Sequence, residues 1–414
     1  KKSMKERVIL IALIRNEREK YQKINDLEEL KALTETAGGE VVGSFIQIKR
    51  NPSPKTLLGK GKIEELKRIC QQHKIDLLIF DNQLTPSQIR NIEEIVNVRT
   101  IDRRALILDI FARHARTAEA MLQVELAQLS YQLTMLTGKG KALSQLGGGI
   151  GTRGPGEKQL EIDKRKIKER IYLLKKNLEK LKKTKEIQRA QREYFFKIAL
   201  AGYTNSGKST LFKALTKENV YISDELFATL DANTKAFEIF PNIKILITDT
   251  VGFIKNLPPQ LISAFHATLE DIKRSDLIIH LVDATSENLV EKINVVKETL
   301  KEIGCEEEKI VLVFNKIDLL FEKIQLQRLK REYPNAIFIS ALKEINLNSL
   351  KNLIKKRIRK FLKRKTLKIP KEKGYLLKEV YQKTYVMDFK ENEKEYQVKV
   401  LSYPNILYSL LSRI

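Results

Sequence analysis

Short apolar runs alternate with amphipathic stretches over the first part of the chain. The run Val8–Ile14 is followed by a helix from Glu17 to about Thr36, then Val41–Ile48, a helix from Lys62 to His73, Leu77–Phe80, and a helix opening at Thr85-Pro86-Ser87. Strand and helix periods in turn predict a small α/β domain over residues 1–116. The pattern then changes. Leu122, Leu126, Leu129, Leu133 and Leu136 recur at alternating spacings of four and three, as do Ile167, Ile171, Leu174, Leu178 and Leu181. Each set is an apolar seam of coiled-coil type, and two such seams close together predict an antiparallel helical hairpin over 117–195. From 196 to 362 strand-like runs return (Phe196–Ala201, Ile243–Thr248, Lys309–Phe314, Ala336–Ser340), each leading into a loop and helical pattern, which predicts a doubly wound α/β sheet. Ile369-Pro370 marks a further boundary. Beyond it, Leu376–Tyr381, Tyr385–Asp388 and Tyr396–Val400 read as helix, strand and strand, a small α+β domain over 363–414 leaning on its neighbour. No internal repeat is evident, so the expected fold class is multidomain α/β.

Between the two seams the sequence runs Gly138-Lys139-Gly140, then Gly147-Gly148-Gly149-Ile150-Gly151-Thr152-Arg153-Gly154-Pro155-Gly156. Such a stretch cannot form a core. It predicts a flexible tip over 138–156, made basic by Lys139, Lys141 and Arg153 and extended by Lys158, and suited to probing a partner.

Charge sharpens that picture. There are 77 Lys and Arg against 52 acids, a net charge of +25, which points to nucleic acid or an anionic membrane. No apolar run approaches the roughly 18 residues of a membrane span. Lys1-Lys2-Ser3-Met4-Lys5 ahead of Val8–Ile14 has the outline of a signal peptide, but the apolar part stops at Arg15-Asn16 without a small-residue cleavage site, so a first strand is expected. Residues 158–193 carry 14 basic residues against 6 acids, and residues 351–373 carry 12 against 1. Few aromatics interleave with them and Trp is absent, which argues against base stacking and suits the phosphate backbone of a folded RNA. The turn Leu58-Gly59-Lys60-Gly61-Lys62 could hold a phosphate but is too short for a second nucleotide site. Cys70 and Cys305 are isolated, with no disulfide framework or metal-ligand spacing. The expected compartment is reducing and cytoplasmic, an organelle matrix or stroma staying open because the chain does not begin with Met.

The chemistry is written in four motifs. Gly202-Tyr203-Thr204-Asn205-Ser206-Gly207-Lys208-Ser209 is a complete Gly-x-x-x-x-Gly-Lys-Ser phosphate loop between a strand and a helix. Its backbone N–H groups can turn inward around phosphates, Lys208 can reach the β- and γ-phosphates, and the Ser209 hydroxyl can ligate Mg²⁺. Asp249-Thr250-Val251-Gly252 follows a strand; Asp249 would hold Mg²⁺ through water and the Gly252 N–H would sense the γ-phosphate. Phe227-Ala228-Thr229-Leu230-Asp231 is the first-switch candidate, with Thr229 completing the metal shell and Thr234 as the fallback. Asn315-Lys316-Ile317-Asp318 reads the base. A carboxylate at Asp318 can accept from N1–H and N2–H₂ of guanine, donors that adenine lacks; Lys316 can lie along the ring, Asn315 can brace the loop, and a backbone N–H within Ser340-Ala341-Leu342 can meet guanine O6. Lys208, Thr229 and Gly252 are the residues expected to act in hydrolysis. Phe253 stands where many GTPases carry a water-orienting glutamine, so intrinsic hydrolysis is expected to be slow and to await an activator.

With those motifs in place, the chain resembles the HflX-family GTPases over nearly its whole length. The likeness is carried by Asp102–Arg113, Leu122–Leu129, Gly154–Glu161, Phe227–Asp231 and Asp249–Ile254, with small departures at Arg104, His114 and Lys158. The resemblance implies a Mg²⁺-dependent GTPase that binds the large ribosomal subunit, reaches toward the peptidyl-transferase centre with its hairpin tip, and splits or rescues stalled ribosomes under stress. The chain is expected to work as a monomer. The alternative is a GTP-dependent RNA-binding factor in ribosomal subunit assembly.

Overall fold

The computed structural model describes residues 5–143, 155–190, 194–217, 233–255, 266–320 and 322–414. They divide into two compact units that part between Lys182 and Lys183.

The first unit opens with β1 (Arg7–Ile14), buried on both faces from Val8 onward, as a central parallel strand must be. It continues through α1 (Lys20–Thr36), β2 (Glu40–Ile48), α2 (Lys60–His73), β3 (Leu77–Phe80), α3 (Pro86–Val96), β4 (Arg99–Asp102) and α4 (Arg103–His114). The four strands are parallel in the order β2-β1-β3-β4. α3 starts where its sequence says: the Thr85 hydroxyl accepts the Gln88 N–H and the Gln88 amide oxygen accepts the Thr85 N–H, with Pro86 in the first turn.

The β4–α4 pair has a buried ionic core invisible to hydropathy. Arg103, only 2% exposed, donates to Asp81 at 2.9 Å and pairs with Glu29, while Lys23 reaches Asp81 at 2.6 Å. Burial pushes the Asp81 carboxyl up, but Arg103 and Lys23 outweigh it and hold it below the usual carboxylate range.

Two long helices follow, α5 (Ala118–Leu143) and α6 (Pro155–Ala190). Leu174 is fully buried in the expected seam of α6, and Arg170 grips Glu125 of α5 through two bonds of 2.7 and 2.9 Å. α5 also buries a second stripe, Ala120, Val124 and Ala127, so it packs on two sides. The tip is shorter than the glycines suggest. Gly138 to Leu143, including Lys139 and Lys141, is helical backbone, and α6 already begins at Pro155, taking in Gly156 and Lys158. Two helical glycines cost about 1 kcal/mol each, which a long, packed helix absorbs by propagation. Arg153 lies outside the described residues.

The second unit holds β5 (Lys197–Gly202), α7 (Lys208–Thr216), β6 (Asn233–Phe240), β7 (Ile243–Asp249), α8 (His266–Lys273), β8 (Leu277–Asp283), α9 (Leu289–Glu302), β9 (Ile310–Asn315), α10 (Lys323–Glu332), β10 (Ile337–Phe338) and α11 (Leu347–Arg359). The sheet runs β10-β9-β8-β5-β7-β6, parallel except for β6. The C-terminal elements are β11 (Lys363–Pro370), α12 (Leu376–Lys383), β12 (Tyr385–Glu391), β13 (Glu395–Ser402) and α13 (Pro404–Leu411), an antiparallel sheet β11-β13-β12 with Leu376, Val380, Leu407 and Leu410 packed on one face. β11 and α13 are absent from the sequence expectation. Tyr403 sews this piece to the nucleotide-type sheet: its hydroxyl accepts the Phe196 N–H and donates to the Lys244 carbonyl at 2.7 Å. No helix among the described residues is long and apolar enough to cross a membrane.

In β8, His280 is 1% exposed with no hydrogen-bond partner on either ring nitrogen among the described residues. Burial, reinforced by Lys297 and Lys208, pushes its pKa down to about 3. The unfolded chain therefore takes up a proton near pH 6.5 that the folded chain refuses, so stability is full above that value and lost as pH falls. By pH 4.5 this one group is expected to cost on the order of a few kcal/mol. Denaturant midpoints of the intact protein and of His280→Leu should diverge from neutrality down to pH 5; parallel curves would remove His280 as the cause.

Candidate functional site

The motif residues meet at the carboxyl ends of β5, β7, β8 and β9, where a doubly wound sheet leaves a crevice. β5 ends at Gly202 and α7 begins at Lys208, so the loop between them must reverse direction within a few residues. Asn205 and Gly207 take left-handed backbone, φ 58° and 90°. A Cβ on Gly207 would also stand 2.3 Å from the Asn315 amide nitrogen, so glycine is required there on two counts. Asn315 is itself buried. Its Nδ2 donates to the Ser206 carbonyl at 2.9 Å and its Oδ1 accepts the Ala341 N–H at 2.9 Å. One side chain thus locks the phosphate loop to the Ser340-Ala341-Leu342 loop.

Lys208 points back along its own loop, donating to the carbonyls of Gly202 (3.1 Å) and Tyr203 (3.0 Å). Burial pushes its ammonium down to about 8, against the pull of Asp249. Asp249, fully buried at the end of β7, accepts from the Ser209 hydroxyl at 2.8 Å. A hydroxyl and a carboxylate side by side, both oxygen donors, are chemistry that suits a small hard cation with phosphate completing its shell. Among the described residues no three His, Cys, Asp or Glu converge on a metal position, so any ion here depends on the hydroxyl and on ligand oxygens. Thr250 is tied into the sheet, its hydroxyl donating to the Leu200 carbonyl at 2.5 Å. The half-buried Val251 leads to Gly252, where a Cβ would lie 2.9 Å from Thr204 Cγ2 and 3.2 Å from Lys208 Nζ. Gly252 therefore sits directly over the lysine.

Phe253 is 5% exposed. Its N–H donates to the Gly202 carbonyl at 3.0 Å and its carbonyl accepts the Thr204 N–H at 2.9 Å. The ring is core. Tyr203 extends this strap: its hydroxyl oxygen accepts the Lys255 N–H at 2.9 Å, and Lys255 pairs with Glu291 of α9 at 2.7 Å. Sequence reasoning assigned Tyr203 only as a loop member; the Lys255 partner lies 52 residues away and no local pattern signals it.

At the base-reading end, Lys316 adopts left-handed backbone and its ammonium meets Asp283 at 2.8 Å. Asp283 was not singled out, though its place at the end of β8 could have flagged it. Ile317 and Asp318 form a short 3-10 turn. Asp318 Oδ1 is buried with no hydrogen-bond partner among the described residues, as is Ser206 Oγ. Ala341 gives its N–H to Asn315, so a guanine O6 would share it or turn to Leu342. The first-switch candidates Phe227, Ala228, Thr229, Leu230 and Asp231 lie outside the described residues. The fallback, Thr234, sits in β6 with its hydroxyl 2.8 Å from that of Thr248, committed to the neighbouring strand.

Comparison with known proteins adds the following. Three family models match in succession: a GTP-binding GTPase N-terminal region over 24–112, a GTP-binding GTPase middle region over 114–192, and a 50S ribosome-binding GTPase domain over 197–316. The chain is 43% identical to the GTPase HflX of Caldanaerobacter subterraneus subsp. tengcongensis, across 95% of this chain and 90% of that one. It is 38% identical to the GTPase HflX of Escherichia coli across 87% and 85%. Among solved structures, a GTP-binding protein from Sulfolobus solfataricus in complex with GDP is 29% identical, with a TM-score of 0.43 over 85% of this chain and 98% of that one.

Proposed function

The chain belongs to the HflX family of GTPases, and from that premise we propose that it binds the large ribosomal subunit and splits or rescues stalled ribosomes, with GTP turnover stimulated by the ribosome. The enzyme is a GTP hydrolase with a P-loop GTPase domain. In this reading residues Gly202–Ser209 cradle the phosphates, and the Lys208 ammonium, weakened by burial, is stabilised by the triphosphate it meets. Ser209 and Thr229 would hold Mg²⁺, with Asp249 acting through a water, and the ion would offset the charge of the phosphates. The Gly252 N–H addresses the γ-phosphate. Lys316 and Asp318 read guanine with the Ser340–Leu342 loop, which Asn315 braces against the phosphate loop. Phe253, turned into the core, leaves the attacking water without a side-chain partner, so turnover by the isolated protein is slow. The protein is taken to act as a cytoplasmic monomer.

The observation that carries the ribosomal half is the hairpin. Helices of 26 and 36 residues, clamped by Glu125 and Arg170, flank a glycine-rich segment, residues 144–154, within a chain of net charge +25. Lys139, Lys141, Arg153 and Lys158 are its candidate RNA contacts. Sedimentation with ribosomes, with and without a non-hydrolysable GTP analogue, tests the reading. Analogue-dependent binding to 70S and 50S particles, followed by subunit separation, is the expected result. Binding confined to precursor particles would replace it with a role in subunit assembly.

A further inference from the structure

Where the end of α11 turns into β11, the second unit forms an open cavity of about 600 Å³ lined by Arg359, Leu362, Arg364, Tyr385, Met387 and Leu401. That lies within the roughly 300–1,000 Å³ span of ligand pockets. The strand register explains its make-up. Arg364 pairs with Leu401 and Leu401 with Tyr385 across β11, β13 and β12, so the three side chains stand in one row on the sheet face turned away from α12 and α13. Met387 joins them at the irregularity in β12. Leu362 and Leu401 are buried and make the floor. Tyr385 stacks on Phe240 at 5.4 Å, and the Arg359 guanidinium rests 5.5 Å from the centre of that same Phe240 ring. The result is an apolar, aromatic floor rimmed by two exposed guanidinium groups, and neither arginine meets a carboxylate among the described residues.

We propose that this cavity is a binding site for an unpaired nucleotide of RNA, its base laid on Leu401, Met387 and Tyr385 and its flanking phosphates held by Arg359 and Arg364. An apolar floor with an aromatic ring, flanked by two guanidinium groups, is the chemistry that splayed-out bases of single-stranded RNA call for. A free mononucleotide would need only the two arginines. The cations continue on both sides instead, 12 Lys and Arg against a single acid over residues 351–373, and that extent matches a polymer of phosphates. The basic run itself holds one aromatic ring, Phe361, and the fold brings two more beside it, Phe240 from β6 and Tyr385 from β12. The site is separate from the guanine-nucleotide crevice and does not depend on how that crevice is read.

The test is photocrosslinking of the intact protein to a single-stranded RNA carrying 4-thiouridine, with peptide mapping, alongside binding titrations over a range of salt. Crosslinks within residues 385–401 are expected. Arg359→Gln with Arg364→Gln should abolish them, weaken binding about tenfold and reduce the salt slope by about 1.4, the value for two single-strand phosphate contacts. Both side chains are exposed, so GDP affinity and the melting temperature should stay unchanged, which separates this site from the nucleotide crevice. Crosslinks confined to other segments, or a slope unaltered by the double variant, would overturn the proposal. So would displacement of the crosslink by GMP or by poly-glutamate as readily as by unlabelled RNA.

Discussion

Asp318→Asn is expected to weaken GTP at least about a hundredfold and to raise affinity for xanthosine triphosphate by a similar factor. In the folded protein Asp318 Oδ1 is already buried without a hydrogen-bond partner among the described residues. A carboxylate kept so is stabilised only when a ligand supplies donors, and guanine offers N1–H and N2–H₂. The amide of the variant would accept from one and set its own N–H₂ against the other. Losing one charge-assisted bond and facing one donor with another is worth about 3 kcal/mol, hence the two decades. Xanthine carries a carbonyl in place of the exocyclic amine and turns the clash into a bond. Asn315 is the necessary contrast, because it holds Ser206 and Ala341 rather than facing the base; Asn315→Ala should weaken every nucleotide alike by loosening both loops. Calorimetric titration of the two variants with GDP, GTP and the xanthine nucleotides separates the cases. Unchanged guanine affinity in Asp318→Asn, with no gain for xanthine, would remove this turn from base reading.

The parts of this site legible in the sequence are those whose chemistry is local. The phosphate loop, Asp249-Thr250-Val251-Gly252 and Asn315–Asp318 are contiguous strings following apolar strands, and the α/β sheet is declared by the same strands. Contacts between distant residues were not legible. The Tyr203–Lys255 tether and the Asp283–Lys316 pair join residues of ordinary type that only the topology makes neighbours. β11 escaped because Lys363-Arg-Lys-Thr-Leu-Lys-Ile-Pro reads as a charge run; just Leu367 and Ile369 alternate inward, and a strand with one solvated face needs no more. Arg103 escaped for the opposite reason, since a buried arginine is rare unless paired, and its partners Glu29 and Asp81 lie far off in the chain. The glycines at 138 and 140 misled in a third way. Their low helix propensity was outweighed by the helix they extend.

Replacing residues 144–154 with a short neutral linker is expected to abolish ribosome splitting while leaving basal GTP turnover and guanine affinity nearly intact. The boundaries come from the helices: α5 runs to Leu143 and α6 resumes at Pro155, so the exchange spares both. The Glu125–Arg170 clamp and the seam around Leu174 remain to hold the hairpin. None of the removed residues is an acid or base suited to activating water, and the crevice of Lys208, Asp249 and Asn315 is built entirely from other strands. Phe253, buried and bonded through its backbone to Gly202 and Thr204, cannot orient the attacking water, and in the proposed function the ribosome helps to do so. Ribosomes are therefore expected to raise turnover of the intact protein by at least about tenfold, roughly 1.4 kcal/mol off the barrier. If stimulation comes from ordering the switches and splitting from the tip, the exchanged protein keeps a measurable part of the first and loses the second. Steady-state phosphate release and light scattering on the same two proteins read both quantities. Splitting at the normal rate without residues 144–154 would show that the working end lies elsewhere on the molecule.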